Sequence, residues 1–338
     1  MAWYKIDNRY RIFISFFMKH LFNCNLTYLI INFNLRANTK MLIAFSFFYV
    51  MSIQSNGQYY YYNDQYYDND LLLEGGVTLG LMNGVCDVGA KKGSVYSPST
   101  YDWKSAQLSA GIYASATYKY LYEARIELTK GTVAGNDANS NSTYVKARNI
   151  KFKSSLFEAS FIGALYPLMF LNTESLPAFS PYLMAGVGVF SFYPKGYYDG
   201  KWYSLRRLHT EGETSKEYPE RKEYSLRSIS FPLGLGLRFE LNHKYNLRVE
   251  GVFRHTWSDY IDDASTTYVD PAIVRKTVKK DEKDIAVIFS ELYKQINPNA
   301  NFVGRNRGNA NNNDKFFTIN CKFGIVIGRK KIPINDVP

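Results

Sequence analysis

At 338 residues the chain has room for two average soluble domains or for one barrel with long loops. Charged residues make up only 21% and aromatics 17%, with 29 Tyr and 23 Phe, a balance unlike that of an ordinary soluble domain. The formal charge is +11, but residues 1–57 hold six Lys/Arg against Asp7 alone, a net of +5, so +6 is left to the remainder, scattered among acids and aromatics. That scatter forms no basic stripe and argues against a nucleic-acid-binding function. Three separated cysteines and four separated histidines give neither a disulfide framework nor a zinc signature.

The N-terminal segment differs from everything after it. Residues 1–57 mix basic positions with apolar runs at 12–18, 26–33 and 41–53. The last run has the length of a signal-peptide core, and Ser55 and Gly57 are the small residues that a signal peptidase needs, so cleavage is expected after Gly57. None of the three runs reaches the ~18–20 residues of a membrane-spanning helix. Met18 and Met41 offer internal starts, and a start at Met41 would put the signal core directly at the N terminus. Residues 58–70, rich in Tyr, Asn and Asp, carry no apolar periodicity and are expected to form a loose arm.

From residue 71 onward, segments alternate with a period of two, the mark of strands with unlike faces. Ile229, Phe231, Leu233, Leu235, Leu237 and Phe239 share one face, and Ser230, Pro232, Gly234, Gly236, Arg238 and Glu240 the other. Eight such segments are expected at 71–82, 105–117, 122–133, 153–166, 181–191, 229–240, 246–256 and 316–328. Most exceed the ~5–6 residues of an average soluble strand and meet the ~9–11 of a tilted membrane strand. One apolar face with no second layer to cover it implies contact with lipid, and lipid requires closure, because open sheet edges cannot exist in hydrocarbon. The fold class expected is therefore all-β, an eight-stranded antiparallel transmembrane barrel of the outer-membrane type. Connections at 83–104, 134–152, 192–228 and 257–315 are long, while 118–121 and 241–245 are tight and 167–180 is intermediate. That asymmetry matches long extracellular loops and short periplasmic turns. Barrel residues 71–328 would then be followed by a periplasmic tail, 329–338.

In this register the inward face carries Glu74, Glu123, Glu127, Glu158, Glu240 and Glu250 against Arg125, Arg238, Arg248, Arg254 and Lys322. Isolated charges in a dry lumen would be very costly. Paired charges satisfy one another, and eight strands leave room only for side chains. A packed polar plug is expected, with a proton or ion path as the sharper alternative. Tyr118, Tyr120, Tyr122, Tyr166, Tyr182, Phe190, Tyr245 and Trp257 fall near strand ends and are expected to form interfacial belts.

Outside the strands, the densest polar stretch is residues 257–270. Asp259, Asp262 and Asp263 are candidates for a hard cation such as calcium, although their spacing is not that of an EF-hand loop. The alternative is a hydrogen-bonded turn that folds the base of a long loop, with the segment carrying His209, Thr210 and Glu211 packed beside it. Residues 281–315, which end in an Asn/Gly/Arg-rich tract, are expected to be exposed and mobile. His255 ends a strand with no nucleophile placed beside it by the sequence. No catalytic residue and no cofactor site emerges.

Several motifs carry a resemblance. Gly75-Gly76 leads to residues 83–87, then come Ser180-Pro181-Tyr182 through Phe190, Thr210-Glu211-Gly212, and residues 229–236. Asp259-Tyr260-Ile261-Asp262-Asp263-Ala264-Ser265 follows, running on to Tyr268 and Asp270. In this order, over about residues 70–328, the chain resembles the DUF6089-type family of Bacteroidetes outer-membrane β-barrels of unknown function, which includes the type IX secretion component PorG. The resemblance implies a non-enzymatic barrel that serves as an accessory subunit of a type IX protein secretion system. Its partners would be membrane lipid and the periplasmic ring proteins of that machine. Cys86 departs from the family pattern. The other readings are a narrow porin, an outer-membrane barrel enzyme and a secreted β-sandwich.

Overall fold

A computed structural model describes residues 71–89, 102–171, 179–242 and 244–328. The leader, the arm at 58–70 and the tail at 329–338 lie outside the described residues. Nine strands form one antiparallel sheet: β1 Leu71–Val85, β2 Gln107–Tyr118, β3 Tyr122–Asn136, β4 Lys151–Leu165, β5 Phe179–Tyr198, β6 Lys201–Ser204, β7 Arg227–Glu240, β8 Tyr245–Thr256 and β9 Lys315–Ile327. Each barrel strand pairs with its neighbours, and β1 closes on β9, with Leu73 opposite Ile327 and Val85 opposite Lys315. The result is a closed barrel of eight strands. The ninth, β6, pairs only with the upper end of β5.

Alternation in sequence becomes alternation in environment. Along β3, Glu123, Arg125, Glu127 and Thr129 are buried, while Tyr122, Ile126, Leu128 and Lys130 are exposed. Leu233 and Leu235 on β7 and Leu183 and Val189 on β5 are each more than half exposed. In water such a continuous apolar surface would be a severe liability; against acyl chains it is the required one. On β5 the apolar outward run reaches from Phe179 to Val189, which at ~3.3 Å per residue and a tilt of about 40° stands roughly 25 Å tall, the height of a barrel's lipid band. No helix among the described residues is long and apolar enough to cross a bilayer; the strands cross it.

At one end two of the turns, 119–121 and 241–244, are short. Lys119 and Tyr120 both adopt positive φ (48° and 57°), with the Leu121 N–H bonded to the Tyr118 carbonyl at 3.0 Å. This is the primed hairpin turn whose twist matches the flanking strands. At the other end, three short helices, α1 Thr143–Arg148, α2 Pro271–Thr277 and α3 Lys283–Ser290, build a cap.

Three expectations need correction. β5 runs on to Tyr198, well past 191, and continues into the β6 hairpin through an Asp199-Gly200 turn. Hydropathy alternation fades there because the outward residues become Tyr193, Lys195 and Tyr197, yet Phe192, Pro194 and Gly196 still face inward. Residues 281–315 are not a free loop. Phe289, Leu292, Tyr293 and Phe302 are buried, and Arg307 sits in the cap at 1% exposure. Of the expected belt aromatics, Tyr118, Tyr122, Tyr245 and Trp257 face outward, whereas Tyr120, Tyr166, Tyr182 and Phe190 are buried. Parity decides this: Tyr182 and Phe190 occupy inward positions of β5. Glu240 keeps the inward parity of β7 and pairs with Arg238 at the rim of the lumen.

The main apolar core lies not inside the barrel but at its extracellular mouth. Met82, Val133, Phe152, Phe190, Phe192 and Phe316 from the strand tops pack with Leu205, Leu208, Ile261, Val274, Ala286, Phe289 and Leu292 from the loops.

Candidate functional site: the plugged lumen and the capped mouth

Ten ionisable groups are buried in the lumen: Glu74, Glu123, Glu127, Glu158 and Glu250 with Arg125, Arg238, Arg248, Arg254 and Lys322. Five acids meet five bases, so the plug is neutral when all are charged. Arg248 is the hub. Its guanidinium reaches Glu74 at 2.9 and 3.0 Å and both oxygens of Glu123 at 2.8 and 2.9 Å. Arg125 donates to Glu250 at 2.6 Å, and Lys322 bridges Glu127 and Glu250, the latter at 3.2 Å. Nearer the mouth, Arg254 pairs with Glu158 at 2.6 Å and donates to Thr318 at 2.8 Å, while Ser230 also donates to Glu158. Arg238 reaches Glu240 at 3.5 Å and lies 4.5 Å from the centre of the Tyr166 ring.

Three tyrosines complete the network. The hydroxyls of Tyr113, Tyr166 and Tyr182 donate to Glu74, Glu123 and Glu250, each at 2.5 Å. Their rings need space, and glycine supplies it. A Cβ on Gly236 would lie 2.4 Å from the Tyr182 ring, and one on Gly324 would lie 2.2 Å from a Glu74 oxygen. Such pairs gain little stability over apolar filling, but losing one partner leaves a bare buried charge, which is strongly unfavourable. The arrangement holds a fixed pattern of paired charge.

At the mouth, the two polar segments singled out in the sequence are brought together. Glu211 accepts from the Ser265 and Thr266 N–H groups at 2.9 Å each and from the Thr266 hydroxyl at 2.5 Å. Asp263 accepts from Thr210 at 2.7 Å and Tyr224 at 2.5 Å. Arg307 lies between the two carboxylates, 3.1 Å from Glu211 and 3.4 Å from Asp263, and also donates to the Asp263 carbonyl. Gly212 takes φ of 74°, and Tyr268 is buried against Tyr293 and Phe302. A second clamp stands beside the first: Arg148 chelates Asp137 at 2.8 Å, and Asp137 in turn accepts from the Gly89 and Ile150 N–H groups.

The three aspartates proposed for a cation do not converge on one point. Asp263 belongs to the Arg307 clamp. Asp262 accepts from the Val88 and Ala264 N–H groups at 2.8 and 2.9 Å and turns toward Asp314 and Cys86, whose ligand atoms lie within 4.8 Å of one another. Asp259 is 7% exposed. Burial first, and then the neighbouring acids, pushes Asp262, Asp314 and the Cys86 thiol well above their usual ranges. Burial likewise pushes Asp259 up to about 7 and, with Asp263 and Glu211 adding to it, Glu213 up to about 8. Burial thus opposes ionisation throughout this part of the cap.

Arg307, Arg148, Asp137 and Asp314 were not legible as partners in sequence; two arginines, Arg305 and Arg307, inside an Asn/Gly tract were the only hint of the first. Of the two described histidines, His255 points outward from β8, and the His209 Nδ1 lies 3.0 Å from the Thr277 carbonyl.

No protein-family model matches the chain, and no curated protein matches it. Solved structures resemble it in fold. Neisserial surface protein A shares 9% identity, over 76% of this chain and 97% of its own, at a TM-score of 0.32. The attachment invasion locus protein Ail of Yersinia pestis, solved with the heparin analogue sucrose octasulfate, shares 10% over 75% and 99%, at 0.32. OprG of Pseudomonas aeruginosa shares 12% over 76% and 95%, at 0.30. The class rests on the closed sheet and its lipid band: this is an eight-stranded β-barrel protein of a bacterial outer membrane. Within that class it is a barrel whose lumen is filled by paired charge and whose outer mouth is covered by its own loops.

Proposed function

We propose that the protein works as a non-enzymatic structural subunit of an outer-membrane secretion apparatus, and that the apparatus is of type IX. The observation that carries the first part is the double closure. A lumen packed with ion pairs from Glu74 up to Glu158, under a cap with its own apolar core, suits a scaffold better than a conduit. The type IX assignment rests on the motif resemblance. Its two most polar motifs, residues 210–212 and 259–270, fold against each other here around Arg307. Membrane lipid surrounds the barrel, and the partners would be periplasmic ring proteins that meet its short-turn end.

The test is recovery of the barrel from outer membranes in mild detergent, through a tag placed after Pro338. Co-recovery of periplasmic ring proteins of the secretion machine is the expected result. Recovery of the barrel alone would sink the stable-subunit reading, and single-channel conductance with ordinary open times would replace it with a channel.

A further inference from the structure

The outward face of the barrel is not uniform around its circumference. On β9, β1 and β2 the upper outward positions are apolar, with Phe317, Ile319, Leu79, Leu81 and Leu108. On β3, β4 and β5 the outward positions from the top of the lipid band upward carry Lys130, then Lys153 and Lys195, then Lys151, and no acid occupies an outward position of these three strands. The one acid of the adjoining hairpin is Asp199, at its tip. No ion pair described in the structure engages any of the four lysines.

Their arrangement is costly unless something negative joins them. Lys153 stands directly opposite Lys195 across the β4–β5 ladder, which places the two Cβ atoms about 5 Å apart and is destabilising for like charges. Aromatic rings hold two of the ammonium groups in place. Lys153 Nζ lies 4.1 Å from the Trp202 ring centre, and Lys151 Nζ lies 4.3 Å from that of Tyr197. Tyr197 and Trp202 pack edge to face at 5.1 Å, so the pair of rings forms a fixed platform. The platform stands on the outer face of the wall, above the lipid band. Lys130 lies opposite Phe157 at the top of the lipid band, and Lys195 follows exposed Val189 and Tyr193 on the same face of β5.

We propose that this sector is a binding site for the phosphate groups of an anionic lipid in the outer leaflet. The lipid's acyl chains would lie against Leu128, Phe157 and Val189. Its headgroup phosphates would sit among Lys130, Lys151, Lys153 and Lys195, relieving the Lys153–Lys195 repulsion. Position selects the occupant: a soluble polyanion would approach the cap from above, whereas these lysines continue the wall that touches lipid. The inference does not depend on the secretion role.

The experiment uses the full purified chain in neutral-detergent micelles, with bisphosphorylated lipid A as probe and its dephosphorylated form as control. Lipid retained by the protein is read by native mass spectrometry. Wild type is expected to retain the phosphorylated probe in preference to the control. The variant K130Q/K151Q/K153Q/K195Q is expected to lose about tenfold or more in retention, each lysine near an anionic surface contributing on the order of one factor of five. The corresponding four-Arg variant is expected to keep it. All variants are first checked for the heat-dependent gel shift of a folded barrel. Equal retention of both probes, or a four-Gln variant that binds like wild type, would overturn the proposal. Binding of soluble heparin through these lysines with no preference for phosphorylated lipid would overturn it in favour of a glycan site.

Discussion

The lumen and the cap bury charge by opposite plans. In the lumen, polar residues fill the interior and apolar ones face out, because the surroundings are hydrocarbon; every described acid there is matched by a base or a tyrosine. In the cap, the interior is apolar as in a water-soluble domain, with Val274, Ala286, Phe289 and Leu292 at 3% exposure or less. Its buried acids outnumber their cations: Arg307 and Arg148 serve Glu211, Asp263 and Asp137, while no described ion pair engages Asp259, Asp262, Asp314 or Glu213, and burial raises the pKa of each. One chain thus obeys two solvents, and its two halves should respond differently to mutation and to pH.

The largest effect should come from Arg248→Met. It strands Glu74 and Glu123 in the lumen, at a cost near the upper end of the 3–5 kcal/mol expected for breaking a buried pair. Urea unfolding in detergent, followed by the heat-dependent gel shift, should show the whole barrel weakened. Arg307→Met should lie nearer about 3 kcal/mol and should act on the cap alone. Proteolysis within residues 257–315 should accelerate, while the gel shift of the barrel persists. A barrel lost together with the cap would show that the two regions are one cooperative unit.

Acidity should separate them further. Asp259 and Glu213 bind protons more tightly folded than unfolded, so their contribution is fully present below the unfolded values near 4 and is lost as pH rises through about 7 and about 8. Protease resistance of the cap should therefore be greater at pH 5 than at pH 8.5. Asp259→Asn with Glu213→Gln should flatten that dependence, and an unchanged slope would mean that other groups carry it. The smallest effect is expected at the periplasmic turn. Lys119 is held at φ 48°, and Lys119→Asn should raise barrel stability by up to about 1 kcal/mol, because Asn tolerates that conformation better.

How far the sequence could be read follows the same division. The strands were legible because a period of two survives wherever one face meets lipid, as in Ile229 to Phe239 and Phe317 to Ile327. Register came with it, and so did the inward charges. The cap was not legible. Its core is assembled from single residues on four loops, and Leu205, Val274 and Phe289 share no periodicity with Phe152 or Phe192. The extension of β5 was hidden because Tyr and Lys replaced Leu and Val on its outer face once the strand had left the lipid. Tyr166 and Tyr182 were misplaced because an aromatic at a strand end reads alike for belt and plug; only parity separates the two.

The seam between β1 and β9 has a temporal consequence. Leu73 finds its partner in Ile327, so the first of the described strands to be synthesised waits for the last. Until β9 arrives, two strand edges lie open, and an open edge invites aggregation. No stretch of the chain can seal itself in advance, and a contact of such sequence separation is slow to form unaided. Closure of the barrel is therefore the last pairing to become possible, and it is an all-or-none event: the barrel has no edge once Leu73 meets Ile327 and two edges until then.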